Sequence, residues 1–204
     1  MSQAYSPRRG TKKHHRPKRR PLDDAQLQEL ALTYVARFAT TAGKLEDYLR
    51  RKLRERGYAG EEEGEGPPDY AGLVESFVEK GYVDDAGYAR SKSSDLLARG
   101  YGARRVSQAL YQAGISEEIS EELEVSELAL RKAAVTLARK RRFGPFDVQA
   151  AALGPDERRK REEKQLAAMI RAGHDFAKAK QVLSAPGEEH LLEWIDEARE
   201  HEDF

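Results

Sequence analysis

The stretch Gly81 to Ile115, GYVDDAGYARSKSSDLLARGYGARRVSQALYQAGI, limits the folds open to this chain more than any other. Gly81 ends one helix, because glycine takes the left-handed backbone that closes a last turn without a side-chain clash. Asp84 is a natural N-cap for the next helix, since its carboxylate can accept a bond from a free amide of the first turn. Gly100 stops that helix, Gly102 stands at the start of another, and Gly114 stops it. Short helices separated by glycine hide little surface alone, so such a chain must stack one unit on the next.

Similar punctuation runs along the rest of the sequence. Asp23 with Gln26 reads as a capping box, and Leu27, Leu30, Ala31, Tyr34 and Phe38 follow at helical spacing to about Ala39. The TTAG at 40–43 breaks this helix, and Leu45, Tyr48, Leu49 and Leu53 form the stripe of a second, ended by Gly57. An acidic loop rich in Gly and Pro at 59–69 leads to a third, with Leu73, Val74, Phe77 and Val78. Helices at 85–99 and 103–113 follow. Ser116 caps a longer one whose stripe, Leu123, Leu130, Ala134 and Leu137, runs to about residue 143. Gly154-Pro155 starts a helix that ends near Gly173, with Leu166, Met169 and Ile170 on its stripe. Asp175 caps a short helix with Phe176, Ala179, Val182 and Leu183, and a last one buries Leu191, Leu192, Trp194, Ile195 and Ala198. No segment alternates with period two, so the chain reads as all-α.

An internal period emerges on counting from Gly43, Gly100 and Gly173. Six positions on stand Leu49, Val106 and Ala179; ten on, Leu53, Leu110 and Leu183; fourteen on, Gly57, Gly114 and Gly187. The fold class expected is all-α, with tandem three-helix repeats forming an elongated, curved array. Its parts are a disordered basic tail over 1–21, a first repeat over 22–81, a second over 82–143 and a third over 144–204.

Composition fits a thin-cored array, with 39% hydrophobic and 35% charged residues. The absence of Cys excludes disulfides and thiolate metal sites. No apolar run approaches a membrane span, and a cytoplasmic protein is expected. Lys plus Arg and Asp plus Glu are 36 each, so net charge is zero, but the charges are segregated. Eight basic and no acidic residues precede Leu22, base collects again at 50–56, 139–142 and 158–164, and acid collects at 61–65, 117–127 and 188–204. Opposite the apolar stripes stand Arg50, Arg51 and Arg54 in the first unit, Arg104 and Arg105 in the second, and Lys178 and Lys180 in the third. Stacking would align them as a discontinuous basic strip, suited to nucleic acid or to a protein filament carrying it. The same charges would serve equally as solvated helix faces. His14 and His15 are too isolated for a metal site, and His174 reads as a packing residue before a helix. There is no phosphate loop, no HExxH pair and no nucleophile set, so no active site, cofactor or metal is expected.

At GYVDD (81–85), YAR (88–90), RGYGARRVSQAL (99–110) and AGI (113–115) the sequence resembles the RecX family of recombination regulators. KLRERGY (52–58) and RAGHDFAKAKQVL (171–183) support the match, which covers roughly residues 25–200. The resemblance implies an array of three-helix units in a bacterial cytoplasmic protein of recombinational DNA repair and the SOS response. It implies that the chain binds RecA along the groove of the RecA–DNA filament and inhibits its recombinase, ATPase and coprotease activities. A second reading is a helical protein that binds single- or double-stranded DNA directly, without RecA. Nothing in the pattern requires a dimer, so a monomer is expected.

Overall fold

The structure is a computed structural model that describes residues 20–62 and 66–202. Most of the expected basic tail, part of the acidic loop and the last two residues lie outside the described residues. The helices are α1 (Asp24–Arg37), α2 (Ala42–Arg56), α3 (Ala59–Glu62), α4 (Tyr70–Glu79), α5 (Asp85–Ala98) and α6 (Ala103–Gln112). They continue with α7 (Glu117–Glu122), α8 (Glu127–Arg141), α9 (Pro155–Arg171), α10 (Phe176–Leu183) and α11 (Glu188–Glu202). Two 3-10 turns, Gly144–Phe146 and Ala150–Ala152, join α8 to α9. Among the described residues extended pairing is limited to one backbone bridge, Leu22 with Tyr58, which pins the entering chain to the end of α2.

Local chemistry sets the helix starts. Asp23, Asp69, Asp84 and Asp175 each accept a bond from the backbone amide three residues on, at 2.7–2.9 Å. Asp23 supplies only half of a capping box, because the Gln26 side chain accepts from Arg56 at 3.3 Å instead. Two segments differ from the sequence reading. The loop at 59–69 opens with a helical turn, α3. The long helix expected from Ser116 is two helices: Ser116 caps α7, the chain leaves helical geometry at Leu123, and Ser126 caps α8 by accepting from the Ala129 amide at 3.2 Å. A second capping serine inside the apolar pattern starts a new helix at the same spacing.

The repeat register also differs, by one turn in the first unit. The caps of the middle helices are Thr41, Gly102 and Asp175. Counting from these caps aligns Leu45, Val106 and Ala179, which are 0%, 2% and 0% exposed. Gly100 and Gly173 follow helix ends with φ of +93° and +97°, whereas Gly43 lies inside the first turn of α2. A four-residue slip keeps the same helix face, which is why the stripe still matched.

Apolar residues gather in three clusters. The first holds Leu22, Leu27, Leu45, Leu49, Val74 and Phe77; the second holds Ala89, Leu96, Val106, Leu110 and Ile115. Ala134 and Leu137 join Met169, Val182, Leu191 and Ile195 in the third, so α8 shares its core with α9–α11. The clusters are tied together by backbone. The Gly102 and Arg104 amides at the start of α6 donate to the Ala172 and Gly173 carbonyls at the end of α9, at 3.0 and 3.1 Å. The start of α2 meets the end of α6 through a side chain: the Thr41 hydroxyl, which accepts from the Lys44 amide at 3.2 Å, donates to the Ala113 carbonyl, and Gly43 packs on Gly114. Asp85, at the start of α5, accepts from the Ala42 amide at 2.9 Å.

These contacts leave no room for a side chain. A Cβ on Gly102 would overlap the Gly173 backbone, and one on Gly173 would lie 2.5 Å from the Arg105 nitrogen. Gly173→Ala adds a left-handed backbone to this clash and should cost about 3 kcal/mol, lowering the melting temperature by roughly 5–10 °C. Gly154→Ala meets nothing within 4 Å but replaces a favoured helix-capping residue, and should cost no more than about 1 kcal/mol. Thermal melts followed by circular dichroism check both; a Gly173→Ala protein as stable as the parent would contradict the close junction.

Candidate functional site

The seven cations singled out from sequence do not form one uniform strip. Arg50 and Arg51 lie on the second half of α2 and are neutralised locally. Arg50 pairs with Glu46 and, at 3.4 Å, with Asp47, and it lies 5.8 Å from the Tyr70 ring centre. Arg51 is 3.9 Å from Glu55, and Arg54 is exposed on the same helix. Lys178 is committed to Glu127 at 3.0 Å and Asp175 at 3.1 Å. Burial disfavours its charge, but these two carboxylates outweigh that and hold its pKa above the ordinary lysine value. Lys180 is exposed on α10 beside Phe176.

With the caps aligned, Lys44, Arg105 and Lys178 occupy one position, the third residue after the cap. A cation there faces the positive end of the helix dipole, so it needs a counterweight. Lys44 finds it in Tyr88, donating to the hydroxyl at 2.6 Å with the ring centre 4.5 Å away. Lys178 finds it in the carboxylates. Among the described residues the Arg105 side chain has Gln108, at 2.8 Å, and the Tyr101 ring, at 6.0 Å. It is the member of this set least neutralised by its surroundings.

Around Arg105 the structure gathers further cations. Arg104, Arg105, Gln108 and Arg171 line an open depression of about 480 Å³ over the α6–α9 junction. Arg171 also lines a neighbouring cleft of about 320 Å³, with Arg99, Lys140 and Arg141 at its edges and Tyr101 and Phe143 in its wall. The Lys140 ammonium donates to the Arg99 carbonyl at 3.2 Å, which fixes the end of α8 against the end of α5. Arg99 shares Asp95 at 3.4 Å, and Arg104, Arg141 and Arg171 make no ion pair with another described residue. Sequence reasoning noticed the basic run at 139–142 but missed Arg99 and Arg171 as partners of Arg104 and Arg105. The available signal was positional: each stands in or just after a last helical turn, one or two residues before a glycine.

His174 anchors this face from beneath. It is 2% exposed, and its Nε2 lies 3.0 Å from the Gly100 carbonyl. Burial holds its pKa below the ordinary histidine value; the Gly100 carbonyl and Asp175 pull the other way, and Lys178 reinforces the depression. The unfolded chain therefore binds a proton more readily than the folded one. The stability this contributes is present above about pH 6.5 and is lost as pH falls toward the folded-state value. His174→Gln keeps a donor for Gly100 but cannot titrate. Its melting temperature should fall less than the parent's between about pH 6.5 and 5, because other titrating groups are common to both. Equal pH slopes would contradict the assignment.

The comparisons with known proteins bear on the family and the fold. The family model described as RecX, second three-helix domain, matches residues 84–123, the span of α5, α6 and α7. Over 179 residues the chain is 34% identical to the regulatory protein RecX of Myxococcus xanthus, covering 85% of this chain and 93% of that one. It is 32% identical over 155 residues to the regulatory protein RecX of Agrobacterium fabrum, covering 73% and 77%. The crystal structure of RecX from Lactobacillus salivarius superposes with a TM-score of 0.59 over 84% of this chain and 96% of that one, at 17% identity, which speaks to the fold. No helix among the described residues is long and apolar enough to cross a membrane. With tandem helical units and a relative matched over nearly its whole length, the chain belongs to the RecX family.

Proposed function

We propose that this chain is a cytoplasmic regulator that binds RecA, or the RecA–DNA filament, and inhibits its recombinase, ATPase and coprotease activities. Membership of the RecX family supports the partner. The observation that carries the choice of surface is the grouping of Arg104, Arg105 and Arg171 with Arg99, Lys140 and Arg141 around one rigid junction. A filament on DNA presents regularly spaced anionic groups, which a cluster of guanidinium and ammonium groups complements. The basic strip read from sequence is narrowed in this proposal. Arg104 and Arg105 remain central, whereas Arg50 and Lys178 spend their charge on neighbouring carboxylates. Tyr101 and Phe143 in the cleft wall favour a second reading, direct contact with nucleic acid without RecA, since aromatic rings beside cations suit single strands.

RecA ATPase on single-stranded DNA tests both readings. The parent chain should inhibit at well below one copy per RecA, as expected of action on the filament. Inhibition only at amounts that coat the DNA would favour the second reading. Replacing Arg104, Arg105 and Arg171 with Ala should raise the concentration needed for inhibition by about tenfold or more. It should also flatten the salt dependence by roughly 0.7 for each single-strand phosphate that is no longer neutralised. Unchanged inhibition and salt slope would reject this face.

A further inference from the structure

The break between α7 and α8 opens a groove that the basic face does not use. It runs between α5, the Leu123–Ser126 segment and α8, and encloses about 570 Å³. That volume falls within the range of sites that hold an anchored side chain or a small ligand. Its apolar lining includes Leu97, Leu123 and Val125. Arg90 on α5 and Lys132 on α8 stand at the rim, both exposed, and neither makes an ion pair with another described residue. Ser93 forms part of the groove floor and is 3% exposed. Two cations flanking an apolar lining complement a ligand that carries both carboxylate and apolar groups.

We infer that this groove docks a short peptide segment of a partner protein, one that carries carboxylates beside an apolar side chain. The apolar side chain would rest on Leu97, Leu123 and Val125. The carboxylates would meet Arg90 and Lys132, which approach from opposite walls. Glu124, at the same edge, repels a further acidic group and so sets which positions of the peptide bear charge. A nucleic acid fits less well: the groove lining contains no aromatic ring for a base to stack on, unlike the cleft at Tyr101.

Fluorescence anisotropy on the full chain, without RecA or DNA, tests this. The probe is a labelled peptide of alternating Glu and Leu; the controls are an all-Glu peptide and one of alternating Lys and Leu. The Glu–Leu peptide should bind, and both controls should bind at least about tenfold more weakly. Arg90→Gln with Lys132→Gln, at exposed positions where folding tolerates the change, should weaken the Glu–Leu peptide by a similar factor. Three results would each overturn the inference: affinity unchanged in the double variant, an all-Glu peptide that binds equally well, or displacement of the peptide by a short oligothymidylate. None of these readings depends on RecA inhibition, so failure here is distinguishable from failure of the proposed function.

Discussion

The contact on which this structure depends is a helix start laid against a helix end. The first amides of α6 have no side-chain cap, because the capping position is Gly102. Two of them, at Gly102 and Arg104, donate instead to the Ala172 and Gly173 carbonyls at the end of α9. Two sets of orphaned backbone groups cancel, and the positive end of one helix dipole faces the negative end of another. The approach is close enough that a methyl group on either glycine would block it. The start of α2 meets the end of α6 differently: its amides bond the Thr41 and Asp85 side chains, the Thr41 hydroxyl donates to the Ala113 carbonyl, and Gly43 packs on Gly114. A chain with small separate cores gains from this, since each junction holds neighbouring units together without a large apolar interface.

The junction also decides which charges face outward. Cations at helix ends beside a backbone contact are held where the backbone holds them. Arg104 and Arg105 follow the capping glycine of α6, Arg171 closes α9, and Lys140 bonds the end of α5. Arg104, Arg141 and Arg171 make no ion pair with another described residue, so this face keeps its charge. On α2 the reverse holds. Glu46, Asp47 and Glu55 lie three or four residues from the arginines and offset them along the helix. Zero net charge over the whole chain thus conceals one face that is basic and another that is internally balanced.

What was legible in the sequence was local. Asp23, Asp84, Ser116 and Asp175 cap helices because a short oxygen-bearing side chain at that position satisfies an amide three residues on. Gly100 and Gly173 end helices because the next turn needs a left-handed residue. Gly43 was misread for a non-local reason: it is small because Gly114 lies against it, not because a helix ends there. The break at 123–126 was hidden because the apolar spacing continues through it. Sequence located the cations but could not tell a free guanidinium from a paired one. Lys178 and Arg105 look alike in the repeat and differ only through Glu127 and Asp175. Arg99 and Arg171 became part of the site only when folding brought the ends of α5 and α9 together.

Native-state hydrogen exchange at single-residue resolution tests the junction most directly. The Gly102 and Arg104 amides stand at a helix start, where exchange is ordinarily fast. If they are bonded to α9, they should be protected to the same degree as interior amides of α6 and should exchange only when α6 and α9 separate. Rapid exchange at these two amides, with the interior of α6 still protected, would contradict the account.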